Sequence, residues 1–151
     1  TMPSQVEELK GEYERAEILK SQMLTTAANN VDESTVSMLD AEAINKGAMT
    51  FKANCVVCHG EKGEGNTVGP NLTDQFWIHK GGLKDIFKTI KYGFPDKGMK
   101  SWKDDFSPSQ MAELASFVKS LGGTNPPNAK EKQGDLYIDS TEVVNAIDSI
   151  K

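Results

Sequence analysis

Apolar residues return at three- and four-residue steps in several stretches of this chain, and each such stretch predicts a helix. Val6, Leu9, Tyr13, Ala16, Leu19 and Met23 mark an amphipathic helix over about residues 5–26, entered through a Ser4–Glu7 capping box and left at Asn29-Asn30. Asp32 offers a cap for a short helix through Leu39. Asp40 opens a helix over about 41–54, in which Gly47 and Phe51 lie one turn apart on one face. Leu83, Ile86, Phe87 and Ile90 predict a helix over about 83–92, stopped at Gly93. Ser107-Pro108-Ser109-Gln110 is a helix start, with Ser at the cap, Pro first and Gln third. Met111, Leu114, Ala115, Val118 and Leu121 follow with Phe117 beside them, and Gly122-Gly123 ends the run.

Strand-type runs of Val, Ile and Thr are scarce, so the pattern predicts an all-α fold. Gly63, Gly65, Gly69, Pro70 and Asn71 mark a loop between residues 60 and 82. Thr124-Asn125-Pro126-Pro127 reads as a linker, and residues 128–151 as a weakly structured tail. Within that tail a strand at Leu136-Tyr137-Ile138 and a short helix near 141–150 are the candidates. The organisation expected is an N-terminal helical extension over 1–40, a domain over 41–123, and a linker and tail over 124–151. The extension could dock on the domain or on a partner absent from the chain, and docking on the domain is the reading preferred, because most helices gain their stability from packing.

Chemistry enters at the end of the second predicted helix, in Cys55-Val56-Val57-Cys58-His59. Two thiols at this spacing can each add to one vinyl group of a haem, and the next residue is then carried under the iron as its proximal ligand. A thioredoxin-like redox pair expects a surrounding strand-helix-strand pattern, which is not visible. A structural zinc site needs four ligands, and only His79 would remain to add to Cys55, Cys58 and His59. The reading is one covalently attached haem c. It accounts for a modest 37% hydrophobic content over 151 residues, since a buried macrocycle supplies part of the core. Both cysteines are consumed, so no disulfide framework is available. Covalent haem attachment belongs outside the cytoplasm, and a periplasmic chain is expected.

The net charge of −5 is unevenly spread: residues 1–45 carry 3 Lys+Arg against 9 Asp+Glu, residues 46–125 carry 11 against 8, and residues 126–151 carry 3 against 5. The haem segment is mildly basic between acidic flanks, and nothing resembles a nucleic-acid-binding stripe. No apolar run approaches the ~18 residues of a membrane span. No signal peptide is visible, and Thr1-Met2-Pro3 is not a natural translation start. The expectation is a soluble piece cut after a targeting or anchoring segment.

An iron with one His has a sixth position that is open or filled. The methionines are Met2, Met23, Met38, Met49, Met99 and Met111. Met99 lies in an irregular Gly93–Trp102 loop that could lay a thioether across the distal face, with Gly98 easing the backbone. His79, beside Lys80-Gly81-Gly82, is the rival, for a bis-His site. A ligating His donates its other ring N–H, and Gly69-Pro70-Asn71-Leu72 offers the carbonyl, with Pro70 stiffening that shelf. Leu72, Trp77, Phe87, Ile90 and Trp102 are candidate pocket walls, although core packing explains the apolar ones equally well. The two indole N–H groups need partners when buried, and a haem propionate is one candidate.

Together these residues resemble a class I cytochrome c domain over about residues 44–122. The resemblance implies helices around one covalent haem, with Gly47 and Phe51 packed against Leu114 and Phe117. Asn71-Leu72-Thr73-Asp74-Gln75-Phe76-Trp77, Gly81-Gly82, Ile90-Lys91-Tyr92-Gly93 and Gly98-Met99-Lys100-Ser101-Trp102, in that order, are similar to the membrane-anchored cytochrome c subunit, subunit III, of cbb(3)-type terminal oxidases. That resemblance implies a domain with no catalytic centre of its own. It would take electrons from a cytochrome or quinol-linked donor and pass them towards the oxygen-reducing subunit. The implied partners are the other oxidase subunits and the periplasmic side of a bacterial inner membrane, reached through an anchor absent from this chain. His59 and Met99 would hold the iron. Three departures stand out. Lys100 replaces the usual Pro after the ligand Met; Phe94-Pro95 stands where an Arg commonly follows Tyr-Gly, leaving Lys91 or Lys97 as substitutes; and there is one haem motif where two are typical. A free soluble monohaem carrier and a haem enzyme or gas sensor are the alternatives.

Overall fold

The computed structural model describes residues 5–140. The elements in chain order are α1 (Gln5–Asn29), α2 (Ala41–Asn54), α3 (Val56–His59), β1 (Phe76–Trp77), α4 (Leu83–Tyr92), a 3₁₀ turn (Pro95–Lys97), α5 (Pro108–Ser120) and β2 (Asp135–Leu136). The fold is all-α. Ser4 and the short helix expected near 141–150 lie outside the described residues. None of the described helices is long and apolar enough to cross a membrane.

The helix starts are those the capping residues dictate. Asp40 accepts a hydrogen bond from the Ala43 N–H and opens α2. Ser107 and Gln110 form a complete capping box on α5, with Pro108 at its first position. α2 and α5 cross at Gly47, where a Cβ would run into the Glu113 carbonyl and the Phe117 Cβ. That close approach brings the Phe51 and Phe117 rings to 5.2 Å, tilted at 58°. α4 packs on the other side of α5 and buries Ile86, Phe87 and Ile90. The core is completed by Met111, Leu114, Ala115, Val118, Leu121 and Leu72. Each of the larger side chains contributes roughly 1.5–3 kcal/mol by leaving water.

Both ends differ from expectation. The extension divides in two. Among the described helices and strands α1 touches α5 alone, and it leaves its apolar stripe in solvent, with Leu9 69% and Leu19 60% exposed. It is therefore not docked along its length. Residues 31–39 do pack on the domain: Val36 is buried in the core, Val31 and Leu39 lie against it, and the Leu39 N–H donates to Ser116 Oγ. The short helix expected after Asp32 is a single turn, because the Asp32 carboxylate takes the Ser34 and Thr35 N–H groups and nothing propagates the helix beyond Val36. At the other end, the tail to residue 140 has little regular structure, as expected, but it is anchored. β2 pairs antiparallel with β1, Phe76 opposite Leu136 and Trp77 opposite Asp135. The strand thus lies one residue earlier than expected.

Candidate functional site

α2 runs into α3 through Cys55, whose φ of −107° breaks the helix axis between them. The one-turn helix that follows presents Cys55, Cys58 and His59 from a single coil, all half-buried, with both thiols free. The His59 N–H donates to the Cys55 carbonyl at 3.0 Å, fixing the histidine directly after the thiol pair.

The loop after Gly60 folds back beneath this turn. His59 Nδ1 lies 3.0 Å from the Pro70 carbonyl. A carbonyl can only accept, so the proton sits on Nδ1 and Nε2 is the ring nitrogen left for a metal. The approach requires Gly69: a Cβ there would run into the Cys58 carbonyl and come within 3.0 Å of His59 Nδ1. Burial holds the His59 imidazole below its usual range, opposed by the Pro70 hydrogen bond and aided by the charge of Lys130. The ring is therefore neutral at neutral pH, as a metal ligand must be.

Burial, and then Cys58, pushes the Cys55 thiol up to about 11. That is the opposite of a redox-active dithiol, whose nucleophilic cysteine is held low. Among the described residues no three His, Cys, Asp or Glu side chains come together to hold a metal ion, so a zinc site lacks its ligands. Two free thiols, a histidine with one nitrogen tethered and one available, and a loop held close by glycine fit a haem c.

The second loop follows α4, and the Ser101 hydroxyl donates to the Lys91 carbonyl at its end. Phe94 and Met99 form an antiparallel bridge, the Phe94 N–H donating to the Met99 carbonyl at 2.8 Å and the Met99 N–H to the Phe94 carbonyl at 3.1 Å. Gly98 turns the chain between them with φ of +89°. Met99 is half-buried against the core. Met111 is fully buried among the core residues, whereas Met23, Met38 and Met49 face solvent and Met2 lies outside the described residues. His79 stacks on Phe94 with centroids 3.4 Å apart and planes within 6°. Trp102 stacks on Phe106, and its backbone N–H donates to the Ile90 carbonyl. Trp77 stands in β1 with its indole over the Gly81 backbone, and Leu72, Phe87 and Ile90 belong to the core. Lys91, one candidate for the missing Arg, is committed to Glu33 at 3.0 Å.

The structure thus gathers Cys55, Cys58, His59 and Pro70 at one place and sets Met99 and Trp102 in a separate loop against the same core. Asn66 was not singled out in the sequence, and Asn71 was named there only as part of its loop and motif. Asn66 donates to the Val57 carbonyl at 2.8 Å and accepts from the Val68 and Gly69 N–H groups, pinning the loop across the cysteine pair. Asn71 accepts from Thr73 and reaches the Lys130 carbonyl. An Asn inside a glycine-rich loop is the signal for such Asx turns.

Comparison with known proteins agrees with this geometry. The family model for cytochrome c oxidase, cbb3-type, subunit III, matches residues 42–118. The cbb3-type cytochrome c oxidase subunit FixP of Azorhizobium caulinodans is 41% identical over 88 residues, 56% of this chain and 29% of that protein. Subunit CcoP of Azospirillum sp. is 31% identical over 150 residues, 90% of this chain and 51% of that protein. The chain therefore spans about half or less of these curated relatives. Among solved structures, cytochrome cL of the marine methylotroph Methylophaga aminisulfidivorans aligns with a TM-score of 0.52 at 27% identity, covering 58% of this chain and 59% of that one. With a class I cytochrome c fold and a family match across half its length, the chain belongs to the family of subunit III of cbb3-type cytochrome c oxidase.

Proposed function

We propose that this chain is a one-haem electron-transfer domain of a cbb3-type oxidase, with thioether links at Cys55 and Cys58, His59 as the proximal ligand and Met99 as the distal ligand. The observation that carries the reading is the tethering of His59 Nδ1 to the Pro70 carbonyl directly after the thiol pair. A haem c bound there supplies one reversible electron at its iron. The rest is positioning by the chain. The Pro70 carbonyl fixes the tautomer and the ring orientation of His59 and raises its basicity. The Phe94–Met99 bridge holds the thioether loop in place, which limits rearrangement when charge changes. A filled sixth position leaves no coordination site for substrate, so the domain carries electrons without a catalytic centre of its own.

The names of the relatives support a place among the other oxidase subunits. In that place the domain would receive electrons from a cytochrome or quinol-linked donor and pass them towards the oxygen-reducing subunit. That place implies the periplasmic side of a bacterial inner membrane, with an anchor elsewhere in the full protein. The division into an extension, a haem domain and a tail belongs to the same proposal.

Acid-acetone treatment is expected to leave the pigment on the protein, and Cys58→Ala to weaken its retention. Pigment that extracts freely from the parent protein overturns covalent attachment. The oxidised protein is expected to show the weak far-red sulfur-to-iron band, and Met99→Ala to abolish it. Persistence of the band in Met99→Ala overturns that ligand.

A further inference from the structure

The tail contains one two-residue strand, yet it follows the loop that carries Pro70. Its grip on the Pro70 end is concentrated at one residue. The Lys130 N–H donates to the Glu64 carbonyl at 2.8 Å, and the Lys130 carbonyl accepts from Asn71 Nδ2 at 3.2 Å. Lys130 Nζ reaches the Gly69 carbonyl at 3.4 Å. Glu64, Gly69 and Asn71 bracket Pro70, whose own carbonyl holds His59. Farther along, the Tyr137 N–H donates to the Gln75 carbonyl, and Asp139 pairs with Lys119 at 3.5 Å, so the strap is closed at both ends.

We propose that Lys130 is a positioning residue for the proximal histidine: its backbone holds the Pro70 turn against His59, and its ammonium sets one positive charge behind the proximal ligand. The inference rests on the haem reading above. Its electrostatic consequence has a definite sign. Reduction removes one positive charge from the iron, so a fixed cation held nearby in a half-buried setting favours the reduced state and raises the potential. The lysine stem is already ordered by its backbone bonds, so the head group is held at modest further entropic cost.

The test is a redox titration of the full, haem-loaded chain. Lys130→Met keeps the stem and both backbone bonds and removes the charge together with the Nζ contact to the Gly69 carbonyl, which Lys130→Gln can keep. It is expected to lower the midpoint potential, read as a several-fold fall in the ratio of reduced to oxidised haem at fixed ambient potential. The absorption spectrum and acid-acetone retention are expected to stay as in the parent. Lys130→Arg is expected to keep the parent potential. Lys132→Met removes the same charge from a side chain that lies over Phe76 instead, 4.5 Å from its ring, and is expected to shift the potential less. A parental potential in Lys130→Met, or an equal shift in Lys132→Met, overturns the proposal. Should Lys130→Met lose its fold, Lys130→Gln, which keeps a polar head for the Gly69 carbonyl, reads the same quantity. Failure of the parent itself to hold haem covalently refutes the underlying reading instead, so the two failures are distinct.

Discussion

Residues 5–29 form the longest helix among the described residues, and Val6, Leu9, Tyr13, Leu19 and Met23 along it stand in solvent. Residues 124–140 hold little regular structure, yet they are tied to the domain through Glu64, Asn71, Gln75, β1 and Lys119. The contrast separates two properties that a hydrophobic pattern tends to merge. A three-four repeat says that a segment can form a helix with an apolar face; it does not say what covers that face. Conversely, an aperiodic segment can be well anchored when its backbone groups find partners one at a time. In this chain the second kind of anchoring serves the site, because the tail braces the loop that orients His59.

The largest test of that contrast is Gly134→Val. Gly134 has φ of +86°, and a Cβ there would run into the Trp77 carbonyl. The substitution both strains the turn and wedges β1 from β2, with an expected loss of ~1–3 kcal/mol in unfolding free energy. Denaturant titration reads the loss, and hydrogen exchange at Tyr137 is expected to rise with it. Unchanged exchange would mean that the tail is not held by this turn.

Lys119→Met comes next. Lys119 Nζ donates to the Gly81 carbonyl at 2.9 Å and pairs with Asp139, both side chains being about three-quarters covered. Losing the charge-assisted bonds is expected to cost ~1.5–3 kcal/mol at most, less where water replaces them. Combined with Gly134→Val, the two effects are expected to fall short of additive, since both release the same strap.

A smaller effect is expected where the extension joins the domain. Glu33 binds Lys91 at 3.0 Å and accepts from the Tyr92 hydroxyl at 3.1 Å. Its own backbone N–H and then Lys91 hold the Glu33 carboxyl below its ordinary value, and Glu33 in turn raises Lys91. A depressed acid stabilises above its unfolded pKa and loses that contribution as pH falls through the folded one; a raised base stabilises below its unfolded pKa and loses it as pH rises through the folded one. The clasp is therefore complete between the ordinary carboxyl and ammonium ranges and lost beyond either end. Glu33 is a third exposed, so water screens the pair, and Glu33→Gln is expected to cost ~0.2–1 kcal/mol at neutral pH and nothing below the carboxyl range. An equal cost at both pH values would assign the effect to packing instead.

How much was legible in the sequence follows the same division. The starts of α2 and α5, the α4 helix and the Gly47–Phe51 face were readable, because caps and periodicity act over a few residues. So were the thiol pair, His59 and the loop that meets it, because the chemistry fixes their spacing. The anchoring of the tail was not, since Lys130 meets Glu64, Gly69 and Asn71 across some sixty residues of chain, and each of those bonds ends on a backbone carbonyl that any sequence possesses. The bareness of α1 was not either, because an apolar stripe has the same pattern whether covered or exposed.

The smallest expected effect is on α1 itself, and it is the one that could undo the comparison. Leu9→Gln with Leu19→Gln replaces two side chains that are 69% and 60% exposed. Gln matches Leu closely in helix propensity, so the helix itself is little disturbed. Residues without buried contacts change stability by no more than ~0.5 kcal/mol, and that is the bound expected for unfolding of the haem domain. The double variant is also expected to leave the haem spectrum unchanged, because α1 shares no contact with the Cys55–His59 turn. A loss well above that bound, or an altered spectrum, would mean that the apolar face is covered by the domain in solution. Both ends of the chain would then be straps, and anchoring through backbone bonds would lose its special place beside His59.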